Sequence, residues 1–576
     1  MIAPTAAVLA FVPLSLALTL PTTLPSTTGD VASSYVGATT TFQFPPAGVT
    51  PASPGNDPDF PDASEVGYAG PTPTGDEALS IETAPAIAVH VGVDPVVRPD
   101  TADKKGSKFD MVRSWGSLTP WFSLPADTWG LPESSPVVPK GCDIQQVHIL
   151  HRHGARYPTS GSGPSTFAAK LHNITVNGTG FSASGPADFL NSWQFSLGAE
   201  ILTPLGREQL YFARYELGVN ARVRYGALLK GFTDLPVWRT TSEARMVDSA
   251  LQFAAGFFGV QDYATSYHQL IQIEEDGFNS TLAPYYDCPN SNLDDNGYLG
   301  YIKAAEWANV YAPPIIKRLS KYIHGVNLTS SDIVAMQDLC AYESVALGYS
   351  SFCDLFTQSD WESYEYWYDS DLAFWYSDGP GGATTASQGI GYVQELIARL
   401  TQIPITTFDT TTNATLDGSN ITFPLNQPIF VDASHDTIIS SIAVALNLTS
   451  LAESGPLPTD HIKKDRKCIV SHVAPFATNL VGQVLSCPAS GTATSGNSTA
   501  THFRWILNDA VVPLTGLKGC KENKDGLCEL DAYIEGTKAR IEEVDFAFDC
   551  FANYTVPDPD LITDGRASPS VKNSTA

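Results

Sequence analysis

Positive charge is scarce in this chain. Of 576 residues, 33 are Lys or Arg and 61 are Asp or Glu, for a formal net charge of −28. That balance excludes a nucleic-acid-binding protein, which needs a basic footprint. Charged residues of either sign make up only 16% of the chain, while 43% are hydrophobic, so a disordered polyelectrolyte is excluded as well. Beyond the first twenty residues no apolar run reaches the roughly 20 residues of a membrane-spanning helix. The nine cysteines show no CxxC pair and no Cys/His spacing of a zinc site. No internal repeat is visible. A chain this acidic suits low pH, where carboxylates lose charge and self-repulsion relaxes. It can still bind an anion if a few arginines converge in one cleft.

What is present points to the secretory pathway. Ten N-x-S/T sequons occur, at Asn173, Asn177, Asn279, Asn327, Asn413, Asn420, Asn447, Asn497, Asn553 and Asn573. With dispersed cysteines they predict an extracellular protein carrying N-linked glycans. Ala6 to Leu18 has the length and apolar character of a signal-peptide core, giving a leader over 1–19. The polar stretch Asp564 to Ala576 reads against a lipid-anchor tail. Residues 20–105, rich in Thr, Ser, Pro, Gly and Asp, read as a disordered stalk, with one strand candidate at Ala86 to Val93. The size predicts at least two core-bearing lobes: a folded unit over 106–557, followed by a flexible tail over 558–576.

Three segments carry the argument inside that unit. Ile144 to Leu150 reads as a strand ending just before Arg152-His153-Gly154. Thr203 to Leu217 reads as a helix, with Thr203 as N-cap, Pro204 in the first turn and Gly218 as its end. Pro428 to Ala433 reads as a second strand, with Ile429, Val431 and Ala433 on one face. It runs into Ser434-His435-Asp436 and then a helix over Thr437 to Leu446. Ligand sites in α/β sheets form outside the carboxyl ends of strands, so the two polar junctions are expected to meet in one cleft.

Arg152-His153-Gly154-Ala155-Arg156-Tyr157-Pro158 places two guanidinium groups beside one imidazole. Arginine's fork of donors matches phosphate oxygens. A histidine between arginines is a poor metal ligand and a good nucleophile towards a phosphorus atom held by those arginines. The alternative readings stay open at this stage. His153 could be an ordinary core histidine, or form a metal pair with His151. His435-Asp436 could be only a helix N-cap. Arg239 competes with Arg245 as a third arginine. Lys463 to Lys467 is a solvated face or a source of charge for a cleft.

The signature R-H-G-x-R-x-P formed by Arg152 to Pro158 resembles that of the histidine acid phosphatases. Further pieces follow in the same order. Trp115 to Phe122 is similar to a segment of fungal phytases. Leu202 to Gln209 resembles the family's LTxxGxxQ helix, Ser242 to Arg245 its SxxR, Asn279 to Leu282 its NSTL-like stretch and His435-Asp436-Thr437 its HD motif. The resemblance covers roughly 109 to 557. It implies a central mixed sheet flanked by helices, with a smaller, mostly helical lobe inserted between about 165 and 425. It also implies bridges Cys142–Cys487, Cys288–Cys550, Cys340–Cys353 and Cys520–Cys528, leaving Cys468 as a buried thiol.

The implied chemistry is hydrolysis of phosphate monoesters. Arg152, Arg156, Arg245 and His435 bind the phosphoryl group, His153 attacks phosphorus, and Asp436 protonates the leaving alcohol. No metal or other cofactor is implied, because the arginines do the charge work. Adjacent Arg152 and Arg156 are expected to keep His153 neutral in acid. Phytate is a candidate substrate, although fungal phytases often carry HDN where this chain has HDT, which is also common in broader acid phosphatases. Two further functions fit parts of the pattern: a phosphoglycerate-mutase-like phosphotransferase, which shares an RHG core, and a non-catalytic anion-binding glycoprotein.

Overall fold

The computed structural model describes residues 109–211, 217–294, 296–367, 373–452, 455–488, 500–556 and 561–567, and the backbone of two short paired strands at 42–43 and 74–75. The expected leader at 1–19, the strand at 86–93 and, apart from that pair, the 20–105 stalk lie outside the described residues.

The centre is a mixed eight-stranded sheet. Its strands are β1 (Asp143–Arg152), β2 (Val237–Thr241), β3 (His268–Gln272), β4 (Ile429–Ser434), β5 (Asn479–Ser486), β6 (His502–Leu507), β7 (Ala510–Val512) and β8 (Cys528–Glu529). Their order is β7-β6-β5-β1-β4-β2-β3, with β8 beside β6. β1, β4, β2 and β3 run parallel, while β5, β6 and β7 pair antiparallel. Parallel strands are covered on both faces, which is why β4 is buried throughout and β1 is buried from Val147 to its end.

The pleat sorts side chains between two layers. Val147, Ile149, Val431 and Val481 pack against α2 (Pro204–Tyr211), α3 (Leu217–Tyr225) and α4 (Ala244–Phe258). Leu150, Leu480, Val484 and Trp505 face the other way. They meet α8 (Thr385–Thr401), α9 (Asp436–Ala445) and α10 (Leu530–Glu543).

A separate core joins α1 (Gly163–Asn177), α5 (Leu299–Leu319), α6 (Ser330–Leu347) and α7 (Gln358–Trp367), with Phe167, Trp307, Ile333 and Trp361 among its buried members. This helical lobe is not one insertion over 165–425. The chain leaves the sheet twice, and between the two excursions it returns through β2, α4 and β3. After the second excursion it comes back again as α8, which packs on the sheet with α9.

Two other expectations change. Gly218 does not end a helix but lies inside α3, where an added Cβ would sit 2.5 Å from the Phe253 carbonyl oxygen and 3.2 Å from Gly256 Cα. The missing side chain serves close packing of α3 on α4 rather than a left-handed cap. The supposed tail includes 561–567, which docks on the domain: Ile562 and Ala567 are buried, and Gly565 exchanges backbone hydrogen bonds with Ala386 and Pro380.

All four implied disulfides are present, and Cys468 is a buried thiol outside them.

Candidate active site

The register of the sheet creates the site. Arg152 and Ser434 are paired residues of β1 and β4, so the two strands end side by side. His153 and His435 therefore emerge together, with ring centroids 5.7 Å apart. The His153 amide donates to the Ser434 carbonyl at 3.2 Å, and its own carbonyl accepts from Ala477 at 2.9 Å.

Two segments that looked like separate motifs hold this junction. In the 202–209 helix start, Thr203, Gly206 and Gln209 recur every three residues and so share one helix face. Thr203 Oγ1 caps α2 by accepting from Gly206 N at 3.1 Å and donates to the Ala155 carbonyl at 3.1 Å. Gln209 accepts from Ala155 N at 2.8 Å. A Cβ on Gly154 would lie 2.0 Å from the Gly206 oxygen, and one on Gly206 would lie 1.9 Å from the Ala155 oxygen. Neither glycine can carry a side chain while helix and loop stay this close. Leu282, from the Asn279–Leu282 stretch, accepts from the Ser434 hydroxyl at 2.7 Å and so fixes the end of β4.

His153 is buried. Its Nδ1 lies 2.8 Å from the Gly154 carbonyl oxygen, an acceptor only, so Nδ1 carries the proton and the neutral ring keeps its lone pair on Nε2. Burial first, then the charges of Arg152, Arg245, Arg156 and His435, hold its pKa well below the ordinary 6.5. The neutral form expected from the arginines is thus favoured still more by burial.

Arg152 is buried under Phe476, with its guanidinium carbon 4.6 Å from the ring centre. It donates to the carbonyls of Ser117 and Ala474, the latter at 2.7 Å, and meets Asp436 Oδ2 at 2.8 Å. Ser117 belongs to the Trp115–Phe122 segment, whose place in the site is thereby explained. Burial would raise the Asp436 pKa, but Arg152, Arg156 and His435 bring it below the usual value, so Asp436 is a carboxylate. It opens α9, where the helix N-terminus also favours negative charge.

Arg156 bridges to Leu202 in a short antiparallel contact and donates to the Tyr157 carbonyl at 2.9 Å. Arg245 stands in the first turn of α4. Arg239 does not reach this cleft. It is buried under β4, 2.6 Å from Asp432 and 2.7 Å from Glu395. His151 stacks on Phe253 at 4.9 Å, its Nδ1 lies 3.1 Å from the Arg152 carbonyl oxygen, and it belongs to no cluster of three potential metal ligands among the described residues. In the basic run, Arg466 lies over the Tyr366 ring while Lys464 and Lys467 are exposed.

Three carboxylates in the site escaped the sequence reading. Glu200 Oε2 is 3.1 Å from Arg245 Nη1, Glu243 pairs with Arg245 Nη2, and Glu274 Oε2 accepts from His435 Nε2 at 3.1 Å. Burial would raise the Glu274 pKa, but His435, Thr241 and Arg245 bring it below the ordinary value. Glu200 holds φ 67°, a left-handed conformation costly for a residue with a Cβ, which marks a constrained position. Glu243, Glu274 and His435 bring ligand atoms within 4.8 Å of one another, a set that could accept a cation. The Arg245 guanidinium already paired with Glu243 opposes a metal there.

Comparison with known proteins gives the family. Residues 143–508 match the histidine phosphatase superfamily, branch 2. Phytase A of Aspergillus oryzae is 32% identical over 438 residues, covering 73% of this chain and 87% of the relative. Phytase A of Penicillium oxalicum is 32% identical over 475 residues, covering 79% and 95%. The crystal structure of the phytase from D. castellii superposes with a TM-score of 0.59 at 22% identity, covering 83% of this chain and 95% of that one, and shares the fold. The chain belongs to the histidine phosphatase superfamily, branch 2.

Proposed function

We propose that this protein is a secreted phosphomonoesterase whose substrates include phytate. The observation that carries the reading is the state of His153: neutral, its Nδ1 proton committed to a backbone carbonyl, with three arginines bearing on it. Arg152, Arg156, Arg245 and His435 hold the phosphoryl oxygens. His153 Nε2 attacks phosphorus in line; the N–P bond forms as the bond to the ester oxygen breaks, and Asp436 delivers a proton to the departing alcohol. Water then cleaves the N–P bond, with Asp436 as base, releasing phosphate and restoring the imidazole.

Asp436 is a carboxylate before substrate arrives. Phosphate oxygens on Arg152 and Arg156 offset the charge that holds its pKa down, so the acid form is generated in the complex, with the proton available from a monoester monoanion. The pairing of eight cysteines and the exposure of sequon residues Asn173, Asn177, Asn279, Asn327, Asn420 and Asn553 support an extracellular, glycosylated protein. The names of the Aspergillus and Penicillium relatives support phytate.

The test is phosphate release near pH 5 in excess EDTA, from phytate and p-nitrophenyl phosphate in parallel, with His153→Ala beside the wild type. Release that survives EDTA and disappears in the variant is expected, and the ratio of the two rates ranks the substrates. Absence of release from both esters would overturn the reading.

A further inference from the structure

The side chains assigned to phosphate are already in contact with carboxylates. Glu200, Arg245, Glu243, His435 and Glu274 form a chain of alternating acidic and basic side chains. Arg245 lies between Glu200 and Glu243, and His435 Nε2 lies 3.1 Å from Glu274 and 3.9 Å from Glu243. The three carboxylates are not equivalent. Glu274 is buried and also engages the Tyr285 hydroxyl, while its backbone N–H donates to Ser242 at 2.9 Å. Glu200 accepts from the Ser160 amide at 2.9 Å and thereby ties down the chain just after the signature. Both belong to the scaffold.

Glu243 has no such structural duty. It occupies the N-cap position of α4 yet makes no side-chain cap hydrogen bond, and its side chain is 36% exposed. Among the described residues its charge contacts are with Arg245 and His435, the two phosphate donors on that side of the phosphoryl site. A carboxylate and a phosphoryl group present similar oxygens to the same donors, and their like charges repel.

We infer that Glu243 is a built-in competitor for phosphate, an affinity-setting residue that occupies Arg245 and His435 and weakens retention of substrate and product phosphate alike. The inference rests on the phosphomonoesterase reading of the site. A pocket that must release inorganic phosphate at every turnover gains from such a residue, because a phosphate held by several unopposed cations leaves slowly.

The test is titration calorimetry of inorganic phosphate into the full-length wild type, Glu243→Gln and Glu243→Ser, at one acid pH. KM and kcat for p-nitrophenyl phosphate are measured alongside. Both variants remove the charge, and serine is a good N-cap, so the start of α4 survives in at least one of them. The dissociation constant for phosphate should fall about tenfold, the scale of one moderately screened charge pair. KM should fall with it, and kcat should not rise. Unchanged or weaker phosphate binding in both variants, with wild type binding normally, would overturn this inference alone. Weaker binding would mean that Glu243 positions Arg245 and His435 instead. A wild type that binds no phosphate and releases none from either ester would remove the phosphatase reading, and this inference with it.

Discussion

Two groups of arginines flank strand β4, and they have opposite uses. Beneath the strand, Arg239 and Arg399 converge on Asp432: Arg239 Nε and Arg399 Nη1 each lie 2.6 Å from its carboxylate, and Arg239 also forks onto Glu395 at 2.7 Å. Asp417 stands 3.8 Å from Arg239 as a third acid. Every one of these side chains is buried. At the end of the same strand, Arg152, Arg156 and Arg245 bear on His153. Arginine content does not separate wall from site; the burial of the carboxylates facing each guanidinium does.

The buried group also carries a proton. Burial would raise the Asp432 pKa, but two guanidinium groups hold it far below the carboxylate range. Asp417, buried and facing the charge of Glu395, is pushed up to about 8. Three acids share two arginines, and the odd one stays protonated.

The contrast is best broken by paired substitutions. Arg239→Ala strands buried carboxylates and should cost about 3–5 kcal/mol of stability, read as a large fall in thermal midpoint. Arg245→Ala should leave the midpoint nearly unchanged and lower kcat/KM by about 10²–10³-fold, the usual loss when one preorganised donor is removed. Equal melting losses in the two variants would erase the distinction drawn here.

Asp417→Asn sharpens it through pH. A carboxyl whose folded pKa lies above its unfolded value contributes its full stability below about pH 4 and loses it as pH rises towards about 8. Wild type should therefore lose stability across that window by up to about 1.4 kcal/mol per pH unit from this one group. The asparagine variant should lack that slope, as chemical denaturation at pH 4, 6 and 8 would show. The smallest expected effect is at Arg399→Lys, which keeps the charge near Asp432 but loses the fork. It should lower stability by about 1–2 kcal/mol with no change in KM.

The same comparison explains what the sequence could reveal. The end of β1, the end of β4 and the capped start of α2 were legible because each is a local pattern: an apolar strand meeting a polar motif, or Thr203-Pro204 at a helix start. His153, Arg152, Arg156, Arg245, His435 and Asp436 were legible through such patterns together with a family resemblance. Glu200 and Glu274 were not, because they reach Arg245 and His435 from chain segments far apart in sequence, and Glu243 was not, because it fills a variable position of the SxxR motif. Asp432 did leave a trace, an acid inside the otherwise apolar run Ile429 to Ala433, where burial demands partners. Gly218 misled because a glycine after a helical pattern is usually a cap, and here tight packing on α4 wins instead.

Strand β1 joins the parallel and antiparallel halves of the sheet, and its neighbours β4 and β5 are made much later than it is. Cys142, just before β1, precedes its partner Cys487 by 345 residues. At about 5–20 residues per second, β1 emerges roughly 20–70 s before that partner exists. Helices α2 to α4 can cover one of its faces early, but neither of its edges meets its native neighbour until β4 and then β5 are made. Yield should therefore depend on the elongation rate and on the chaperones present during synthesis, and a slower ribosome would make this strand the first place where the nascent chain sticks.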